Sequence, residues 1–243
     1  MLRVIILILC ATTFFGCSSS EKKSQTPEAM FKRALEFEED DRYEEAIRRY
    51  QEVRSKFPYS SQAVDAELAI ADVYFKQESF PESQAAYLTF KDLHPRHPKI
   101  AYVFHRYAMS VYMQLPETID RDLSISPEAV LAFNDVIKKF PTSEFVKEAE
   151  EKRTELVKKM AEKEIYIADF YFKKKLYTSS LGRFETAVKE YLGLGLDEKI
   201  LARATLSAVR SGNMVKARAF AQKLESLGKL NSEGQQALSE ARK

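Results

Sequence analysis

From Glu28 onward the apolar residues return at three- and four-residue intervals, the pattern of helices that bury one face, and no stretch requires a strand. The clearest unit runs from Ser61 to Pro95. In it, small Ala71 and Ser83 lie twelve residues apart, Tyr87 follows four later and Pro95 eight after that. The same intervals recover Ala34, Ala46, Tyr50 and Pro58, and then Ala168, Ser180, Phe184 and Leu192. Ala108, Ala129, Phe133 and Pro141 keep the later intervals but stretch the first, and Thr205, Ala217 and Ala221 form a worn fifth copy. Small residues let two antiparallel helices approach closely, an aromatic fills the space against the next pair, and a proline stops the second helix. Any amphipathic bundle shows three- and four-residue spacing, but four copies of the small-to-aromatic interval argue for a repeat.

This spacing resembles the tetratricopeptide repeat, a unit of helix, turn and helix. One pair cannot bury its apolar face alone, so the resemblance implies an all-α superhelical solenoid of about five helix pairs. The predicted helices are Glu28–Glu39 and Arg42–Phe57 in repeat one, with Pro27 in a first turn. Ser79 and Glu82 have the spacing of a capping box for the second helix of repeat two. Repeat three opens with a helix from Ile100 to about Met113. Its two small residues are 21 apart, which places an insert at 114–126, QLPETIDRDLSIS, before Ser126 and Pro127 restart the helix. Long loops in compact repeats are usually functional, and a tolerated insertion is the alternative.

Ser143 to Lys174 contains no helix breaker and predicts one helix of roughly 48 Å. Its charge run offers Glu148–Lys152 and Glu155–Lys159 pairs at the favourable offset, over a seam of Leu156, Met160 and Ile167. Tyr177–Tyr191 completes repeat four, Asp197–Leu227 forms repeat five, and Ser232–Arg242 a capping helix. The division expected is thus 27–141 for repeats one to three and 142–243 for repeats four, five and the cap.

Composition changes this picture only at the N-terminus. Arg3 precedes an apolar run from Val4 to Phe15, too short to span a bilayer and laid out as an export signal. It ends Gly16–Cys17–Ser18, which resembles the lipobox of bacterial lipoproteins and implies a signal peptide at 1–16 and a lipid-modified Cys17 at the outer membrane. An ordinary signal peptide cut nearby is the alternative. Residues 17–26 suit a flexible tether. Cys10 lies within the leader, so a mature chain starting at Cys17 could form no internal disulfide. Basic and acidic residues, 38 and 36, are interleaved and give no broad footprint for nucleic acid.

Catalytic chemistry finds little support. There is no glycine-rich phosphate loop, no G-x-S-x-G and no H-E-x-x-H. His94, His97 and His105 cluster, but without a carboxylate or thiolate at ligand spacing, so no metal or other cofactor is expected beyond the lipid on Cys17. A glycan hydrolase would need a cleft with a raised-pKa carboxylate, and nothing singles one out. A binding surface remains. Counted along the first helix of each repeat, the inner face shows Phe31 and Leu35, then Asp72, Phe75 and Lys76, then Tyr102, His105, Met109 and Tyr112. That set forms either an apolar groove for a peptide with aromatic side chains or a face covered by neighbouring helices.

The leader, the five repeats and the insert together resemble the BamD family of outer-membrane β-barrel assembly lipoproteins. His97, Pro98, Ile100, Tyr102, Val103 and Arg106 carry the resemblance, with Asp120–Asp122 in the insert and the Phe140–Ser143 turn. Arg183, in LGRFETAVKEY, falls where family members carry an arginine. The resemblance implies a non-enzymatic scaffold whose C-terminal repeats bind BamA periplasmic domains, Arg183 pairing with a BamA carboxylate. It also implies N-terminal repeats that meet unfolded outer-membrane proteins, and further Bam lipoproteins as partners. Another envelope scaffold with this repeat, for pilus assembly or beside the Tol system, is the alternative.

Overall fold

The structure, a computed structural model, describes residues 26–243; the expected signal peptide 1–16, Cys17 and the tether as far as residue 25 lie outside the described residues. Eleven helices and no strand occur among the described residues: α1 Pro27–Glu39, α2 Tyr43–Lys56, α3 Ser61–Lys76, α4 Phe80–Leu93, α5 Ile100–Met113, α6 Ser126–Lys139, α7 Val146–Lys173, α8 Tyr177–Glu190, α9 Asp197–Arg210, α10 Met214–Glu225 and α11 Ser232–Ala241. The chain is all-α and built of tetratricopeptide-like helix pairs. It forms two compact units divided after Gln77, inside repeat two, and the junction at 141/142 lies within the second unit.

In the first unit, α1 starts at Thr26, whose side chain accepts from the Ala29 amide, with Pro27 in the first turn. Ala34 on α1 and Ala46 on α2 are wholly buried where the two helices touch, and Tyr50 fills the space beside α3 with Val53, Ile70 and Val73. The Tyr50 hydroxyl donates to Glu38 Oε2 at 2.7 Å, and Lys76 Nζ donates to Glu38 Oε1 at 2.5 Å. One carboxylate thereby satisfies a buried phenol and is neutralised by a lysine. Burial and that carboxylate hold the Tyr50 phenol well above its usual range.

In the second unit each helix from α4 to α10 packs on the next, and α11 lies on α9 and α10. The repeated small and aromatic positions are all interior: Ser83, Tyr87, Ala108, Ala129, Phe133, Ala168, Ser180, Phe184, Thr205 and Ala217 have no exposed surface. The serines at these positions find partners in the adjoining helix, while Thr205 Oγ1 donates to the Leu201 carbonyl of its own helix at 2.7 Å. Ser83 Oγ lies 3.0 Å from Ser110 Oγ, and Ser180 Oγ 3.0 Å from Ser207 Oγ.

Two local devices set the hairpins. Phe57, His94 and Phe140 cap α2, α4 and α6 with φ near −130° and ψ near 55°, out of the helical region because a proline follows each. Asp41, Glu78, Lys175 and Gly212 each stand five residues before the small residue of the second helix, and all have positive φ. The following amides of Arg42, Leu176 and Asn213 close back onto Phe37, Tyr171 and Ala208 at 2.8, 3.0 and 2.9 Å, as a helix with a left-handed final residue requires. Only one of the four is glycine, so the other three accept the cost of the left-handed region.

Several expected details differ. Ser79 makes no side-chain cap hydrogen bond, and α4 starts with Pro81 in its first turn instead. Ser143 Oγ accepts from the Phe145 amide at 3.3 Å within a turn, so α7 begins at Val146 and has 28 residues, about 42 Å. Its buried seam is Ala149, Leu156, Ala161, Ile165 and Ala168, with Met160 and Ile167 only half-buried. Neither expected ion pair forms on α7 because each partner is engaged elsewhere: Lys152 with Glu155 at 3.1 Å, Glu148 beside His105, and Lys159 with the Pro116 carbonyl. That last contact explains the insert's place. Lys163 Nζ adds bonds to the carbonyls of Ile119 at 2.9 Å and Arg121 at 2.5 Å, so the charge run of α7 holds the 114–125 loop through its backbone.

Candidate protein-docking site

The residues predicted to line one inner face fall in both units. In the first, Phe31 packs on Tyr50 with ring centroids 5.2 Å apart, and Lys76 is engaged with Glu38. Leu35 is exposed, while Asp72 and Phe75 are half-buried. The first unit therefore offers Leu35 and the accessible edges of Phe31 and Phe75, and Lys76 serves the buried carboxylate before any ligand.

In the second unit Tyr102, His105, Met109 and Tyr112 turn toward α6 and α7. Tyr102 meets the Phe145 ring at 5.9 Å, and the Tyr112 hydroxyl donates to Glu155 at 2.6 Å while its ring packs edge-on against Phe133. His105 is 5 % exposed and stacks on Phe145 at 4.9 Å, so it belongs to the interior rather than to a groove. Sequence periodicity identifies this face, but only the course of α7 decides what covers it. Tyr102, Met109 and Tyr112 keep accessible edges.

Burial holds the His105 imidazole below its ordinary value of 6.5; the Glu148 carboxylate, 3.1 Å from Nε2, opposes this and Arg106 reinforces it. The unfolded chain then takes up a proton near 6.5 that the folded chain resists, so this group's contribution is full above 6.5 and is lost as pH falls through the window below it. Thermal unfolding followed by circular dichroism at pH 7.5 and 5.5 is expected to show a loss of stability on acidification that is smaller in His105→Phe. His94 and His97 flank the Phe90 ring at 4.7 and 5.1 Å as turn residues. Among the described residues no three His, Cys, Asp or Glu side chains are grouped to hold a metal ion.

Arg183 stands on α8, where the buried Phe184 and Leu181 orient the helix and leave it facing outward. Its Nη1 reaches Glu164 on α7 at 3.1 and 3.4 Å, with the arginine side chain half exposed and the glutamate 14 % exposed. In the isolated chain the guanidinium is thus paired within repeat four, and its outer edge remains open to a second carboxylate. Sequence reasoning passed over another feature of α7, where Tyr166 and Phe170 lie one turn apart, 54 % and 53 % exposed, beside an open cavity. The exposed i, i+4 aromatics off the buried seam were its available signal.

Helix pairs joined through buried small and aromatic positions make this a repeat scaffold of the tetratricopeptide type. Residues 23–224 match the family described as YfiO, outer membrane lipoprotein, and the chain belongs to that family. An outer membrane protein assembly factor BamD from Neisseria meningitidis serogroup A is 24% identical over 229 residues, 87% of this chain and 86% of that one. Another BamD, from Rickettsia prowazekii, is 26% identical over 188 residues, 76% of this chain and 74% of its own. Among solved structures, the TPR2AB-domain:pHSP90 complex of yeast Sti1 aligns with a TM-score of 0.48 at 11% identity, over 89% of this chain and 83% of that one. No helix among the described residues is long and apolar enough to cross a membrane.

Proposed function

We propose that this chain is an assembly factor for outer-membrane β-barrel proteins, a non-enzymatic scaffold that joins unfolded barrel substrates to the periplasmic domains of BamA. The family match over residues 23–224 carries this reading, and relatives named outer membrane protein assembly factor BamD support it. Cys17 bears the lipid that tethers the chain to the periplasmic face of the outer membrane. Arg183 exchanges or shares its Glu164 partner with a BamA carboxylate, a charge-assisted contact that strengthens as the interface dries. Aromatic side chains of unfolded substrates meet the partly exposed apolar edges at Phe31, Leu35 and Phe75, and at Tyr102, Met109 and Tyr112. Other Bam lipoproteins complete the assembly.

Affinity purification of the full chain from detergent-solubilised envelopes tests this. BamA is expected as a stoichiometric partner that persists in moderate salt. Recovery of a pilus secretin or of Tol components, with BamA absent, would assign the scaffold to another envelope machine.

A further inference from the structure

The second unit holds an open cavity of about 420 Å³ that Arg183 does not line. Ile119 of the insert, Tyr166 and Phe170 of α7, and Leu196 ahead of α9 form its apolar walls. Four charged side chains complete it: Glu162, Asp169, Lys173 and Lys199. Both aromatics are more than half exposed, an apolar surface that pays off only when something covers it.

The charges are sorted by their partners. Asp169 lies 3.7 Å from Arg203 Nε, which Glu233 approaches at 2.6 Å. Asp197 and Glu198, neighbours of Lys199, accept from the amides of Gly193 and Asn231, both at 2.6 Å. Lys173 and Lys199 have no hydrogen bond or ion pair among the described residues. Lys173 ends α7, where a helix favours a cation on its own account. Lys199 sits in the first turn of α9, where the helix disfavours one. Its position is therefore unexplained by local structure and suits an incoming anion. Glu162 stands eleven residues before Lys173, about 16 Å away along α7, and makes the opposite end negative.

We infer that this cavity docks an extended segment of a partner polypeptide that carries an aromatic side chain and, two residues on, an aspartate or glutamate. The aromatic seats between Tyr166, Phe170 and Leu196. Side chains two apart on an extended chain share one face about 6.6 Å apart, which brings the carboxylate to Lys173 and Lys199. Glu162 repels an acid at the other end and so fixes the direction of the segment. This rests on the reading of the chain as a polypeptide-docking scaffold and adds a site that neither Arg183 nor the inner-face residues supply.

The test uses the full chain and a fluorescein-labelled peptide, Ser-Gly-Ala-Phe-Ser-Asp-Gly-Ser with an amidated C-terminus, followed by fluorescence anisotropy. Saturable binding is expected, weakened about ten-fold by Phe170→Ser, whose site is exposed enough to spare the fold. Lys173→Ser with Lys199→Ser should weaken the Asp peptide about five- to ten-fold and leave its Asn counterpart unchanged. No saturation up to about 1 mM, equal affinity for the Asp and Asn peptides, or indifference to Phe170→Ser overturns the site. Binding that requires a free C-terminal carboxylate instead of the aspartate overturns the assignment to an internal segment. If peptide binding fails while BamA still copurifies, this inference falls and the assembly role stands; the reverse result removes the assembly role alone.

Discussion

Phe184→Ala is expected to destabilise the second unit by about 3–5 kcal/mol, the range for emptying a buried phenylalanine site. Phe184 has no exposed surface and is surrounded by Ile165, Ala168, Ile200 and Leu201, residues of α7 and α9 that cannot collapse together without moving their helices. The loss should lower the melting temperature by about 10 °C. Tyr59→Ala, at a fully exposed turn position, should leave it within about 2 °C. Equal melting of the two variants would mean that the aromatic of the repeat does not hold neighbouring pairs together. Far-ultraviolet circular dichroism melts of both full chains suffice for the comparison.

Arg183→Leu is expected to separate stability from association. The arginine is half exposed but Glu164 is 14 % exposed, so leaving that carboxylate without its partner is expected to cost folding about 1–3 kcal/mol. Melting should therefore fall by several degrees while the chain stays folded in the binding measurement. Binding to purified BamA periplasmic domains, measured by calorimetry, should weaken by about 2–5 kcal/mol, or roughly 30-fold to several-thousand-fold in Kd. A loss of that size arises because the partner carboxylate would be left desolvated and unpaired. Unchanged affinity would reduce Arg183 to an ion pair internal to repeat four.

The helix pairs were legible because close packing imposes its own spacing. Ala34 and Ala46, Ala108 and Ala129, Ala168 and Ser180 are small because a larger side chain would drive two helices apart, and that requirement is written in single residues. The proline after Phe57, His94 and Phe140 was equally readable, since proline restricts the residue before it. The left-handed turn residues Asp41, Glu78 and Lys175 were not, because no glycine marks them. For the inner face, periodicity groups Tyr102, His105, Met109 and Tyr112 on one side of α5. What periodicity lacks is the neighbour: Phe145, Glu148 and Glu155 of the following segment meet three of the four. The charge run of α7 shows the same limit. Its lysines have the spacing of a solvated face, yet Lys159 and Lys163 are engaged with carbonyls of the insert, a partner more than 40 residues away.

The insert thus has a physical role whatever else it does. Leu123 is buried, and Asp122 accepts from the Ser124 amide and hydroxyl at 2.9 and 2.8 Å to shape the turn. With the loop pinned to α7, Ile119 becomes one wall of the cavity beside Phe170. A nine-residue lengthening of repeat three is in this way coupled to a surface on repeat four.

The most direct test of the account places a photoreactive amino acid at Thr186, an exposed position one turn from Arg183 on α8, in the full chain in intact envelopes. Illumination is predicted to link the chain to a periplasmic domain of BamA, with the adduct lost in Arg183→Leu. A chain that links only to other envelope proteins, or forms the BamA adduct equally well from exposed Tyr59 and without Arg183, would contradict a docking surface on the C-terminal repeats.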